Sequence, residues 1–249
     1  MRDNHLHTNF SYDATANFSE YLEHYSGEIV TTEHLDLSNP YPDPSHLMDD
    51  VPDYERYCRE IAELEAIYGS RIKRGIEIGY YAPREADLLA YLADKDYDLK
   101  LLSVHHNGQY DYLDPYMKAQ PAHSVIPAYL DQLETAIGRV EADVLAHFDY
   151  GFRVFELTVE DLQVYEAQLL RIFQKMIDHK LAFELNSKSM YLYGHEHLYR
   201  YALTLISSLG GSRISIGSDG HKLEHFRLAF DKIEALLEEF GIGEEAILK

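Results

Sequence analysis

One unit recurs along this chain and limits what it can fold into. An apolar run ends in side chains of metal-ligand type and is followed by a helix-like stretch. The runs end at His5-Leu6-His7, Glu33-His34, Glu77, His105-His106, His147, Asn186 and Asp219-Gly220-His221. Side chains alternate faces along a strand, so His5 and His7 point the same way, one pleat apart. Two adjacent imidazoles suit a divalent transition metal. A lone His-x-His is common on surfaces; the second ligand pair at Asp219 and His221, with others between, gives the first its weight. Strands alternating with helices imply parallel strands, and a closed barrel brings all their ends to one rim. Seven units predict an α/β fold, a distorted (β/α)7 TIM-like barrel, with the site at the C-terminal rim of its strands.

Taken in order, the first strand ends at His7 and is followed by a polar loop, Thr8 to Thr15, that carries Asp13. Asn17 is placed to cap a helix through Phe18, Tyr21 and Leu22. Glu28 to Thr32 is expected as a strand ending at Glu33-His34. The segment Asp36 to Pro52, with four prolines, is expected as a loop and as a lid or pocket wall. Helix is expected over Asp53–Tyr68, from Pro83 through Leu92, over His123–Val140, over Thr158–His179 and near His195–Leu209. A last helix is expected to contain Phe226, Ala229, Ile233, Leu236 and Leu237. The intervening strands are Arg71–Ile78, Leu99–Val104, Asp143–Ala146, Leu181–Leu185 and Arg213–Ile216. No charge run or composition break divides the chain, so residues 1–249 read as one domain.

Composition narrows the function. A formal net charge of -21 argues against a general nucleic-acid grip, which needs clustered Lys and Arg. It does not exclude an anionic substrate, because bound divalent cations reverse the local field. The single Cys58 leaves no intrachain disulfide and fits a reducing compartment. There is no apolar run of membrane-spanning length, and residues 1–20 lack the apolar core of a signal peptide. The expectation is a cytoplasmic, enzyme-sized protein with no membrane partner.

The ordered motifs His5-Leu6-His7-Thr8, Thr32-Glu33-His34, Gly75-Ile76-Glu77, Ser103-Val104-His105-His106, Ala146-His147-Phe148-Asp149, Glu184-Leu185-Asn186 and Gly217-Ser218-Asp219-Gly220-His221 resemble those of the PHP (polymerase and histidinol phosphatase) family. More narrowly, they resemble its monofunctional histidinol-phosphatase branch. The resemblance runs from residue 3 to about residue 221 and implies the same distorted barrel. It also implies that His5 and His7 are a first metal pair, that Glu77 bridges metals, and that His105 and His147 hold another. His34 with Asp13 matches a further position, and Asp219 with His221 the closing pair. Asp13 stands where some relatives have His, a departure that leaves the identity of the metal there open. Six imidazoles and three carboxylates without Cys suit two or three ions of Zn, Fe or Mn.

The resemblance further implies a phosphoesterase in which a metal-bridging hydroxide attacks phosphorus, with L-histidinol phosphate as the favoured substrate. Phosphotyrosyl proteins, nucleotides and sugar phosphates are not separated from it by the ligand set. Asp219 or His221 is a candidate for passing a proton to the leaving oxygen. Arg153, just past His147-Phe148-Asp149, is the candidate phosphate contact, with pairing to a surface carboxylate as its alternative. Asn186 reads as orienting a neighbour or touching substrate. His106 is open between support of a ligand, a substrate contact and packing. A non-enzymatic, metal-stabilised fold is the remote alternative, since structural sites are usually closed and Cys-rich.

Overall fold

The computed structural model describes residues 1–249. Seven parallel strands follow one another around a nearly closed barrel: β1 (Asp3–Leu6), β2 (Ile29–Asn39), β4 (Ile72–Gly79), β5 (Leu99–Ser103), β6 (Val144–Leu145), β7 (Ala182–Asn186) and β8 (Ile214–Gly217). A short β3 (Met48–Asp50) pairs antiparallel with the end of β2. Closure comes from the backbone: Leu6 bridges Gly220, His7 N–H donates to the Gly220 carbonyl at 2.8 Å, and Asp219 N–H donates to the His5 carbonyl at 2.9 Å. No helix is long and apolar enough to cross a membrane.

The parity of each strand decides what fills the barrel and what lies under the helices. On β5, Leu102 faces the helix-covered core, whereas Leu99 and Leu101 point inward. The same alternation sends Ile76 and Ile78 of β4, and Phe183 and Leu185 of β7, to the outer core. Val30, Leu99, Leu101, Val144, Ala146 and Ala182 fill the lower interior, with Leu248 packed against them. Higher on the same inward rows come Glu77, Glu184 and, two steps above Leu101, His105. Apolar filling thus gives way to imidazole and carboxylate within two to four residues of chain.

Several elements differ from the sequence expectation. β2 continues through Asn39 and pairs with β3, so Asp36 to Pro52 is a hairpin with an irregular tip rather than a loop. Its partner β4 explains the extension: residues from Ile29 to Asp36 pair without a break with Ile72 to Gly79. Arg84 tethers the hairpin by a two-pronged pair to Asp49, with both N–O distances 2.9 Å. The Thr158–His179 helix is two helices, Val159–Gln163 and Glu166–Asp178, each opened by its own terminus. The His123–Val140 helix stops at Ala136, before a turn that Gly138 makes at a φ of 80°. The last helix starts at Phe230, so Phe226 and Ala229 precede it.

Candidate metal centre

Glu77 is the hub. It is buried on β4, beside His34 in the register of the β2–β4 pair. Its Oε1 lies 2.6 Å from His147 Nε2 and 3.1 Å from His105 Nε2. Its Oε2 lies 3.1 Å from His34 Nδ1, 3.3 Å from His5 Nε2 and 3.4 Å from His7 Nε2. One carboxylate therefore faces five of the six imidazoles expected as ligands. The sixth, His221, places Nε2 3.2 Å from Asp13 and 3.3 Å from His34 Nε2. Asp219 Oδ1 is 3.9 Å from His7 Nε2 and 3.3 Å from His221 Nδ1. All nine expected metal ligands therefore meet on one rim, from positions up to 216 residues apart in the chain.

The donor atoms fit divalent cations. Two ligands each about 2.1 Å from one ion, at the angles of a four- or six-coordinate site, lie about 3.0–3.4 Å apart, close to most of the separations above. Four overlapping trios have their donor atoms within 4.8 Å of one another: His5–His7–Asp219, His5–Glu77–His147, His34–Asp36–His105 and His7–His34–His221. His5 Nε2 and His7 Nε2 face each other at 3.1 Å, a poor arrangement for two neutral rings unless a cation or a proton lies between. Glu77 Oε2 and His34 Nδ1 are buried without a hydrogen-bond partner, and a buried polar atom left so is costly. A cation shared among these atoms satisfies both.

A further layer orients the ligands. Glu184 of β7 lies 2.6 Å from His5 Nδ1 through one oxygen and accepts the His147 backbone N–H at 2.6 Å through the other. Asp36 lies 2.8 Å from His105 Nδ1, and Ser11 Oγ lies 3.2 Å from His7 Nδ1 while donating to Glu33. Two glycines permit these approaches. A Cβ on Gly217 would sit 2.4 Å from both Glu184 and His5, and one on Gly79 would sit 1.6 Å from Asp36. Asp36 and Glu184 were missed as functional residues in the sequence. The prolines that follow make Asp36 read as loop, although strand parity two residues past His34 puts it on the same face.

The charges are mutually dependent. Burial opposes ionisation of Glu77, but His105, His5 and His34 hold its carboxyl well below the usual range. Burial likewise disfavours charged His5 and His34, yet Glu184 and Glu77 raise the first, and Glu77 and Asp13 the second, well above an ordinary imidazole. His105 is pushed up to about 10, with Asp36 and Glu77 outweighing burial. His7 moves the opposite way, lowered by burial and by His221 and His34. Burial also lowers His147 and His221. The carboxylates thus demand positive charge among the rings, which a bound cation supplies more compactly than protons.

The open side of the centre is marked by Asp13 and His221, whose side chains are 27% and 15% exposed while Glu77 and His5 are sealed. Arg153 is buried beside Asp219, with Nη1 3.3 Å from Asp219 Oδ2 and with Nε and Nη2 lacking hydrogen-bond partners. It is not a surface arginine: Asp149, bound in turn by His195, Ser189 and Tyr199, backs it. Asn186 donates to Glu184 and Asp219 and caps the turn at Ser189, which makes it a residue that orients its neighbours. His106 stands apart, accepting the Gly108 N–H at 3.0 Å against the Tyr81 ring. Lys188, unremarked in the sequence, reaches the other oxygen of Asp219, Oδ1, at 3.1 Å.

The PHP domain family model matches residues 3–188. The histidinol-phosphatase of Lactococcus lactis is 25% identical over 255 residues, covering 98% of this chain and 93% of that protein. A probable histidinol-phosphatase of Thermotoga maritima is 23% identical, covering 97% of this chain and 93% of its own length. The crystal structure of the L. lactis histidinol phosphate phosphatase, complexed with zinc, L-histidinol and phosphate, superposes with a TM-score of 0.81 at 23% identity, covering 97% of this chain and 94% of that one. With the matched region holding seven of the nine ligand-type residues and six of the seven barrel strands that place them, the chain belongs to the PHP domain family.

Proposed function

We propose that this chain is a metal-dependent phosphomonoesterase that hydrolyses L-histidinol phosphate to L-histidinol and phosphate. The observation that carries this is the joining of two features at one mouth: a ligand cluster built on Glu77, and a buried arginine with unpartnered donors beside it. The near full-length similarity to histidinol-phosphatases supports the choice of alcohol.

His5, His7, Asp13, His34, Glu77, His105, His147, Asp219 and His221 would hold two or three ions of Zn, Fe or Mn. Such ions supply a water acidic enough to act as a nucleophile near neutral pH, and they offset phosphate charge. The protein's own residues do the rest. Arg153 offers its spare guanidinium N–H groups to phosphate oxygens, a geometry suited to that planar donor set. Asp219 stays ionised: although burial opposes this, Lys188, His5 and Arg153 hold its carboxyl well below the usual range. It therefore serves as a ligand and not as an acid. Asn186 keeps Glu184 and Asp219 in place. On this reading residues 1–249 act as one unit, in the cytoplasm, on a small phosphorylated metabolite.

The test is a phosphatase assay on metal-reconstituted protein, with L-histidinol phosphate beside a sugar phosphate, a nucleotide and a phosphotyrosyl peptide. The expected result is a preference of at least about tenfold in kcat/KM for histidinol phosphate, and two or more metal equivalents per chain by elemental analysis. Preference for another ester overturns the substrate, and absence of both metal and metal-dependent activity overturns the enzyme.

A further inference from the structure

Lys188 lies one residue inside the short helix Ser187–Tyr191 that follows β7, with its side chain only 16% exposed. Its ammonium nitrogen is 3.1 Å from the Asp219 carbonyl, 3.1 Å from Asp219 Oδ1 and 3.2 Å from His221 Nδ1. The last of these is not a hydrogen bond once the tautomer is considered. His221 turns Nε2 toward Asp13 and His34, and a nitrogen that faces a metal position carries no hydrogen. The ring hydrogen is then on Nδ1, which donates to the Asp219 carbonyl at 3.0 Å. Nδ1 has nothing to accept with. An ammonium has three N–H groups; two go to Asp219, and the third has no partner in the protein.

Arg153 shows the same imbalance from the other side. Its Nη1 reaches Asp219 Oδ2, and its other donors are unpartnered. A single carboxylate is thus bracketed by two mostly buried cations, each with a donor to spare, in a chain of net charge -21. The missing partner is an anion with enough oxygens to meet both cations and the ligand cluster together. A carboxylate has two; a phosphoryl group has three.

We propose that Lys188 is a second phosphate contact, its free ammonium N–H binding a phosphoryl oxygen near Asp219 Oδ1, the oxygen that Arg153 does not contact. The assignment rests on the phosphatase reading and deepens it by naming a residue that grips the transferred group. It also gives Lys188 a role distinct from fixing Asp219 and His221.

Lys188→Met removes the charge at similar length, and Lys188→Arg keeps it. Each variant is reconstituted with zinc and measured for metal content, for inhibition by inorganic phosphate, and for kcat and KM on p-nitrophenyl phosphate, which carries no histidinol moiety. Lys188→Met is expected to keep its metal while phosphate inhibition and kcat/KM weaken roughly 10- to 100-fold, the scale of one lost charged hydrogen bond. Lys188→Arg is expected to recover most of the loss. Unchanged phosphate inhibition in Lys188→Met overturns the contact. Loss of metal in step with phosphate affinity overturns it too, since Lys188 would then be a residue that positions ligands. A wild-type protein that holds zinc but hydrolyses no phosphomonoester would remove the phosphatase reading, and this assignment with it, whereas an active wild type with an indifferent Lys188→Met removes only the assignment.

Discussion

Glu184→Gln tests whether the layer behind the ligands matters, without touching a ligand. In the wild type, one Glu184 oxygen faces His5 Nδ1 at 2.6 Å and the other accepts the His147 backbone N–H at 2.6 Å. A glutamine of the same shape has only one oxygen. If that oxygen keeps His5, the amide NH2 is pressed against the buried His147 N–H, donor against donor. If it keeps His147, the NH2 faces Nδ1 and forces the His5 hydrogen onto Nε2, the nitrogen aimed at Glu77. The first outcome strands a buried donor and the second takes His5 Nε2 out of metal binding; either way one charged hydrogen bond is lost, at a cost of roughly 1.5–3 kcal/mol. That is about a 10- to 100-fold weakening of metal affinity, the scale seen when a partner behind a metal-bound His is removed. Competition against a chelator of known affinity measures it, with circular dichroism to show that the barrel persists. Wild-type metal affinity and turnover in Glu184→Gln would refute the reasoning, because His5 would then need no partner to present Nε2.

Four further outcomes follow from the same geometry. His5→Ala, His147→Ala and His221→Ala should each cut turnover by orders of magnitude and lower metal content, while exposed His123→Ala and His197→Ala leave both nearly unchanged. A His5→Ala protein with full metal and normal turnover would remove the first strand from the site. Arg153→Met should keep its metal and raise KM for phosphate esters; steady-state kinetics beside elemental analysis decide this, and metal loss would make Arg153 a prop for Asp219. Activity should fall below about pH 6 and recover in part with excess metal, because protons compete for the ligand imidazoles; a flat profile to pH 5 contradicts it. Burial pushes the Asp111 carboxyl up to about 6, so its contribution to stability is full below about pH 4 and is lost as pH rises through 6, a cost of roughly 3 kcal/mol at pH 7.5. Asp111→Asn, which keeps an acceptor for the Leu113 N–H, should therefore raise Tm of the metal-free protein by roughly 6–12 °C at pH 7.5 and hardly at all at pH 4; equal shifts at both would count against a buried charge.

Eight of the nine expected ligands were legible because each occupies a position at or just past the end of a parallel strand, a place that a sequence pattern can mark; Asp13, in the loop after the first strand, was marked only by the family resemblance. What escaped was everything whose meaning depends on a distant partner. Glu184 looks like an ordinary strand residue until His5, 179 positions away, is brought against it. His195 reads in the sequence only as the start of a helix, yet it pairs with Asp149 at 2.8 Å and so steadies the carboxylate behind Arg153. The hairpin was obscured by its prolines, which describe residues 40–44 correctly and hide the strand on either side. The break at Val164 was invisible to helical periodicity, since that apolar residue is 77% exposed at the junction of two helices.

The centre also explains how so acidic a chain can admit a phosphate. Its buried carboxylates are not a free negative field. Glu184 is committed to His5 and the His147 backbone, Asp36 to His105, Glu33 to Thr8 and Ser11, and Asp219 to Lys188 and Arg153. The pairings with His5, His105, Lys188 and Arg153 each fix one nitrogen of a ring or one end of a cation, and Ser11, held by Glu33, does the same for His7 Nδ1. In His5, His105 and His7 the fixed nitrogen is Nδ1, so all three present Nε2 to Glu77. The negative charge is thereby spent behind the ligands, on choosing their tautomers. What remains for cations and substrate is the set of ring nitrogens gathered on Glu77, Glu77 Oε2 itself, and the spare donors of Arg153 and Lys188 beside them. With cations bound among the first of these, the mouth presents positive charge to an incoming phosphate whatever the sign of the surface around it.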